Sequence, residues 1–196
     1  PANPEFVEGL ARLCYKYKLL MIVDEVQTGL GRTGKLFAYE HYNMKPNVVT
    51  IAKSIGGGVP CGALLVEEGA DIFTPGDHST TIGGGGMAFA AGLVTLRLLQ
   101  EPGFLDEVTQ KGNYIKDNWE LWRREMPVIN GCRGLGLMLA LDLKVPSKQV
   151  MLACLEEGLV VNAVSENAIR ILPALNIDRE DLDAGLAILK RVLQQL

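Results

Sequence analysis

The chain has 196 residues, of which 48% are apolar and 21% charged, and its net charge at pH 7 is −4. That is enough chain for one large domain or two small ones with a sizeable core. The slight negative charge gives no electrostatic reason to expect nucleic acid or an anionic membrane as partner, and no apolar run approaches the roughly 20 residues of a membrane helix.

The amino terminus, Pro1-Ala2-Asn3-Pro4-Glu5-Phe6, has neither the basic start nor the apolar stretch of a signal peptide. With no initiator Met and a helix pattern beginning almost at once, it reads as the start of an excised portion of a longer protein. Residues 4–18 carry Phe6, Val7, Leu10, Leu13, Cys14 and Tyr17 at spacings of three and four, which predicts a helix with those residues on one face. The apolar run Leu19-Leu20-Met21-Ile22-Val23 reads as a strand ending in Asp24-Glu25. A Gly-rich stretch from Gly29 to Gly34 leads to a short helix expected around residues 37–42. Pro46 precedes a second strand over residues 48–52, which ends in Lys53, and residues 61–66 read as a third. A glycine-dominated loop at residues 80–86 runs into an apolar helix over residues 87–99. Strands and helices alternating at these lengths indicate an α/β sheet.

Pro102-Gly103 breaks the pattern, which places a domain boundary between residues 1–101 and 102–196. An amphipathic helix to about Glu125 follows, with Phe104, Leu105, Val108, Ile115, Trp119 and Trp122 on its inner side. Strands are expected at residues 128–130, 137–143, 159–162 and 168–172, with a helix over residues 148–157. Asp178 is suited to N-cap a final helix, because its carboxylate can accept from free backbone N–H groups. The second half is therefore a small α+β unit. Cys14, Cys61, Cys132 and Cys154 are scattered, with no C-x-x-C pair and no nearby His at metal spacing. They read as reduced, mostly structural thiols of a cytoplasmic protein, and no metal site is expected.

Two buried-looking strands thus deliver a carboxylate and an amine to their carboxyl ends, the edge of open α/β sheets where ligands sit. Lys53-Ser54-Ile55-Gly56 is not a nucleotide P-loop, because the lysine follows a strand and no glycine loop precedes it. Asp24-Glu25-Val26-Gln27-Thr28-Gly29-Leu30-Gly31-Arg32-Thr33-Gly34 and Ala52-Lys53-Ser54-Ile55-Gly56-Gly57-Gly58-Val59-Pro60 together resemble the D-E-V-Q-T-G-x-G-R-T-G and A-K-x-x-G-G-G-x-P signatures of class III, pyridoxal-phosphate-dependent aminotransferases. Within that family the chain resembles the acetylornithine and succinylornithine aminotransferases, partly through Pro173-Ala174-Leu175-Asn176 and the Thr80-Thr81 pair.

The resemblance implies a fold-type I large domain with a mostly parallel sheet, followed by a small C-terminal α+β domain. It spans the whole chain but only the C-terminal half of the family's usual length. It gives Lys53 the Schiff base with pyridoxal 5′-phosphate and the subsequent proton transfer, and Asp24 the pairing with the ring nitrogen. Val26 would pack on the ring and Gln27 would bond near the ring hydroxyl. Thr81 would reach the phosphate of the cofactor held mainly by the other subunit of a homodimer. Gly85-Gly86 stands where the family has Asn-Pro, Ile82 replaces an aromatic and Ser79 a frequent Gly; His78 reads as structural. Arg170, within Ile169-Arg170-Ile171-Leu172-Pro173, would grip a substrate carboxylate, since its charge needs an anionic partner. Arg133-Gly134-Leu135-Gly136-Leu137-Met138 and Arg32 would be architectural.

The activity implied is ping-pong transfer of an amino group from N-acetylornithine or a related ornithine derivative to 2-oxoglutarate. Ornithine, 4-aminobutyrate and other ω-amino-acid aminotransferases are the alternatives within the class. Gln27, where glutamate-semialdehyde aminomutase would have Met, disfavours that relative. An alternative from another class is a folded, non-catalytic fragment without cofactor. The isolated chain is expected to be nearly inactive.

Overall fold

Asn3 starts the first helix: its side-chain oxygen accepts from the Glu5 N–H at 2.9 Å, and Pro4 occupies the first turn, where an N–H is not needed. Helix α1 (Pro4–Tyr17) ends at Lys18, which turns left-handed at φ 52° and donates its N–H back into the last turn. The computed structural model describes residues 1–77, 79–80 and 85–196. These divide into two units, residues 2–105 and residues 106–196 together with Pro1.

In the first unit, β1 (Ile22–Asp24), β2 (Val48–Ile51) and β3 (Ala63–Val66) lie in the order β1-β2-β3. β1 and β2 run parallel, and β2 and β3 antiparallel. The sheet, expected to be mostly parallel, is parallel in one of its two described pairings and antiparallel in the other. The reason is the connection: residues 52–62 hold one 3-10 turn and a loop, whereas a parallel return needs a crossover of a dozen residues or more. Central β2 is apolar and buried at Val48, Val49 and Ile51, and Phe37, Leu36, Tyr39 and Ile55 pack around it. The short helix expected near residue 37 is a single 3-10 turn, Ala38–His41. Helix α2 (Gly86–Leu99) closes the unit. On α1 only Val7 is buried; Phe6, Leu10, Leu13 and Tyr17 are exposed, because no described element covers that face.

Helix α3 (Phe104–Glu125), in the second unit from Asp106 on, buries Val108, Ile115, Trp119 and Trp122 of the inner face expected from their spacing, while Phe104 and Leu105 are half-buried. Its sheet is wholly antiparallel, in the order β4 (Ile129–Leu135), β5 (Met138–Leu143), β7 (Ala168–Ile171), β6 (Asn162–Ser165). Leu139, Leu141 and Leu143 alternate toward the core, as a strand requires. Helices α4 (Ser147–Glu156) and α5 (Arg179–Gln194) complete it, and Asp178 caps α5 by accepting from the Asp181 N–H at 2.8 Å.

All four cysteines are free thiols, and Cys154 is fully buried. Among the described residues, no helix is long and apolar enough to cross a membrane, and no group of three metal-ligating side chains assembles.

Candidate functional site

Asp24 is the last residue of β1 and stands in register with Thr50 on the parallel neighbour. The Glu25 N–H donates to the Thr50 carbonyl at 2.9 Å, fixing the pairing there. Thr50 Oγ1 donates to Asp24 Oδ1 at 3.1 Å, and the Val26 N–H donates to the same oxygen at 3.0 Å. Asp24 itself is exposed, Val26 half-buried and Gln27 exposed. The residues read from the sequence as one group, Asp24, Val26, Gln27 and Lys53, therefore all lie just at or beyond the carboxyl ends of two adjacent parallel strands.

Lys53 opens a 3-10 turn, Lys53–Gly56, separated from the end of β2 by Ala52. It is exposed and left-handed at φ 55°, a conformation that few side-chain-bearing residues adopt. Glycines let α2 approach the back of this turn. A Cβ on Gly92 would lie 2.5 Å from the Ile55 carbonyl oxygen, and one on Gly57 2.7 Å from Ala91 Cβ. Gly56 is similarly tight against Cys61, at 2.8 Å. The G-G-G run therefore serves close packing beneath Lys53 as well as the chain reversal.

Glu25 is the functional-looking residue whose place the sequence concealed. It is 2% exposed, and its two oxygens accept from Thr28 Oγ1 and, at 2.9 Å, from the Tyr39 N–H. Burial, then Glu40 and Glu25, push the Tyr39 hydroxyl up from its ordinary range. The loop is tied further on, where His41 Nε2 meets Thr33 O and Oγ1 at 3.1 Å each. The readable signal was the pleat: adjacent residues point to opposite sides, so an Asp-Glu pair cannot present both carboxylates to one edge. Burial lowers the Arg32 guanidinium from its ordinary value without threatening its charge.

Arg170 belongs to the second unit, on β7, paired with Ala140 on one side and Asn162 on the other. Its Nε is buried and makes no hydrogen bond. It lines a cleft of about 380 Å³ with Asn162, Leu172, Pro173, Asp181 and Leu186, and no ion pair joins it to Asp181. Arg133, by contrast, pairs with Asp142 through Nε at 3.2 and 3.1 Å. Gly134 admits no Cβ beside the Met138 carbonyl, and Gly112 of α3 none beside the Gly136 carbonyl. Thr81 and His78 lie outside the described residues.

The family model Aminotransferase class-III matches residues 1–193. The chain is similar to the acetylornithine aminotransferase of Caldanaerobacter subterraneus subsp. tengcongensis, 42% identical across all of this chain and 50% of that protein. It is 37% identical to that of Bacillus subtilis, over 98% of this chain and 50% of the relative. Among solved structures, the acetylornithine aminotransferase of Elizabethkingia anophelis superposes with a TM-score of 0.89 at 30% identity, over 99% of this chain and 50% of that one. Plasmodium falciparum ornithine δ-aminotransferase gives a TM-score of 0.89 at 32% identity, over 98% and 52%. The chain spans about half the length of the curated relatives it matches.

Proposed function

The chain belongs to the class-III aminotransferases, and on that footing we propose that it supplies the lysine and the ring-binding acid of a pyridoxal 5′-phosphate site. One observation carries this reading: Asp24 and Lys53 stand at the ends of two strands paired directly in parallel, with Asp24 in register with Thr50, three residues before Lys53. The residues fit the group. Asp24 Oδ1 is already satisfied by two donors, so Oδ2 keeps its lone pairs for a protonated ring nitrogen, and the Lys53 amine is exposed and unpaired among the described residues.

Pyridoxal phosphate bound there supplies an electron sink for the carbon that carries the amino group. Lys53 Nζ would hold the cofactor aldehyde and, once displaced by substrate, would carry the proton to and from that carbon. Asp24 Oδ2 would keep the ring nitrogen protonated, since a neighbouring carboxylate favours the cationic form. Val26 would pack on the ring and Gln27 would bond its hydroxyl. We assign Thr81 to the phosphate of a partner subunit's cofactor in a homodimer.

Arg170 is assigned to a substrate carboxylate. Its buried Nε lacks any hydrogen bond, which supports a role in anion binding over a structural ion pair. The activity proposed is amino transfer from N-acetylornithine to 2-oxoglutarate, within arginine metabolism and in the cytoplasm. The 36–42% identities to acetylornithine aminotransferases support that donor, and the likeness to ornithine δ-aminotransferase structures keeps ornithine as the second reading.

The test is chemical. The chain is incubated with pyridoxal phosphate, reduced with borohydride and digested, and the modified peptide is sequenced by mass spectrometry. The label is expected on Lys53. A label spread over Lys35, Lys45 and other exposed lysines, with none enriched at Lys53, would refute the assignment.

A further inference from the structure

Asp24 is held through one oxygen only. Thr50 Oγ1 and the Val26 N–H both donate to Oδ1, and Oδ2 takes no hydrogen bond from a described residue. The Val26 contact is local, a turn in which an aspartate accepts from the N–H two residues on. The Thr50 contact spans 26 residues and exists because the parallel register sets the two side by side. One local contact holds a carboxylate loosely, leaving Asp free to exchange among its staggered χ1 wells as well as to turn about its broad terminal torsion. A second donor from a different strand removes that freedom.

We infer that Thr50 is a positioning residue: its hydroxyl fixes the Asp24 carboxylate so that Oδ2 is the oxygen presented to the cofactor's ring nitrogen. This rests on the reading of Asp24 given under Proposed function. Thr50 also ties the strand bearing the acid to the strand that leads, through Ala52, into the turn opened by Lys53, so acid and amine follow one directly paired set of strands. Threonine has a second possible reason to be there, since β-branched residues suit strands. Valine satisfies that reason equally and supplies no hydroxyl, so Thr50→Val separates the two.

Two measurements on the 196-residue chain test the inference. Without ligand, three-bond couplings of the Asp24 side chain report its rotamer by NMR. The wild type is expected to show one staggered rotamer, Thr50→Val an average over several with the remaining amide spectrum unchanged, and Thr50→Ser the single rotamer again. The second measurement compares affinities for pyridoxal phosphate and for its 1-deaza analogue, in which C–H replaces the ring nitrogen. Both can attach to Lys53, so only the nitrogen contact distinguishes them. The wild type is expected to prefer pyridoxal phosphate by at least about tenfold, the scale of one hydrogen bond to a charged group. Thr50→Val should lower that preference about fivefold, the size of one net neutral hydrogen bond, and Thr50→Ser should restore it.

Asp24 couplings unchanged in Thr50→Val overturn the inference, whatever the ligand data show. So does a preference that Asp24→Asn abolishes and Thr50→Val leaves intact, and in that case the reading of Asp24 stands. A wild-type chain that binds both probes equally overturns the ring-nitrogen role of Asp24 and the inference with it; where neither probe binds, the Asp24 couplings decide.

Discussion

A left-handed residue that carries a side chain costs roughly 1–2 kcal/mol, and Lys53 sits in that region at φ 55°. Structural convenience would have put glycine there, as it does at Gly57 and Gly58 further along the same stretch. Strain of this kind persists where the surroundings over-determine it and the side chain serves a purpose. Lys53→Gly should therefore unfold at higher denaturant than Lys53→Ala, by about 1 kcal/mol, although both lose the amine. Equal midpoints in urea would mean that the backbone there carries no strain. On the proposed roles both variants should lose transamination in the full-length protein, because no other described residue sets an amine just past a strand paired with the one that bears Asp24. Arg170→Lys belongs to the same scale. A point charge cannot reproduce the planar fork, so binding of amino donor and oxo acid should weaken by about 1.5–3 kcal/mol per charged hydrogen bond removed. Unchanged apparent affinities for both would return Arg170 to a structural role.

At the scale of elements, the turn bearing Lys53 is shaped by what packs behind it. Gly92 of α2 lies against the Ile55 carbonyl, where an added Cβ would stand at 2.5 Å. Backbone cannot yield as a flexible side chain does, so Gly92→Ala should destabilise the first unit by about 1–3 kcal/mol, the usual cost of overpacking. It should also slow borohydride-trapped labelling at Lys53. Normal labelling together with normal stability would show that α2 does not support the turn. In the second unit, burial pushes the Cys154 thiol up to about 11. The unfolded chain ionises this group first, so between about pH 9 and pH 11 it contributes stability that is lost as pH rises. Below that window the native thiol should resist alkylation while the other three cysteines react; rapid native labelling of Cys154 at pH 8 would contradict its burial.

These elements also show where the sequence was legible. Period and caps located α1, α3 and α5, and the apolar run at residues 48–51 located β2, because each is decided by local pattern. Extent and register were harder. β4 runs on to Leu135, five residues beyond the strand end expected at residue 130, since its pairing with β5 comes from across the hairpin. β6 lies at Asn162–Ser165, three residues beyond the strand start expected at residue 159, and its all-exposed residues carry no alternation to mark it. The left-handed Lys53 and the Thr50–Asp24 contact depend on tertiary neighbours, so no window of sequence contains them, and the pleat tells only that Glu25 points away from Asp24, not that it is buried. That Asp24 and Lys53 follow two apolar strands was legible from the sequence; that those strands pair in parallel, and how Asp24 is held, was not.

Over the whole molecule, the first unit leaves much apolar surface facing water. α2 is apolar on nearly every side, and Met87, Phe89, Leu93, Val94 and Leu98 are each 45% exposed or more. A helix of that composition is ordinarily buried all round. α1 presents Phe6, Leu10, Leu13 and Tyr17 in the same state, and β1 is an uncovered edge strand. Such faces and edges drive association. The 196-residue chain should therefore elute from gel filtration in a concentration-dependent way, shifting to larger species between low and high micromolar loading. It should also hold pyridoxal phosphate weakly. A covalent link through Lys53 is reversible, and tight retention needs the phosphate anchored as well, whereas the roles proposed for Asp24, Val26 and Gln27 concern only the ring. Dialysis after loading should strip most of the cofactor absorbance within a few exchanges. A monodisperse monomer that retains stoichiometric cofactor and turns over substrate would mean that these residues make a self-sufficient site, and that the exposed apolar faces need no cover.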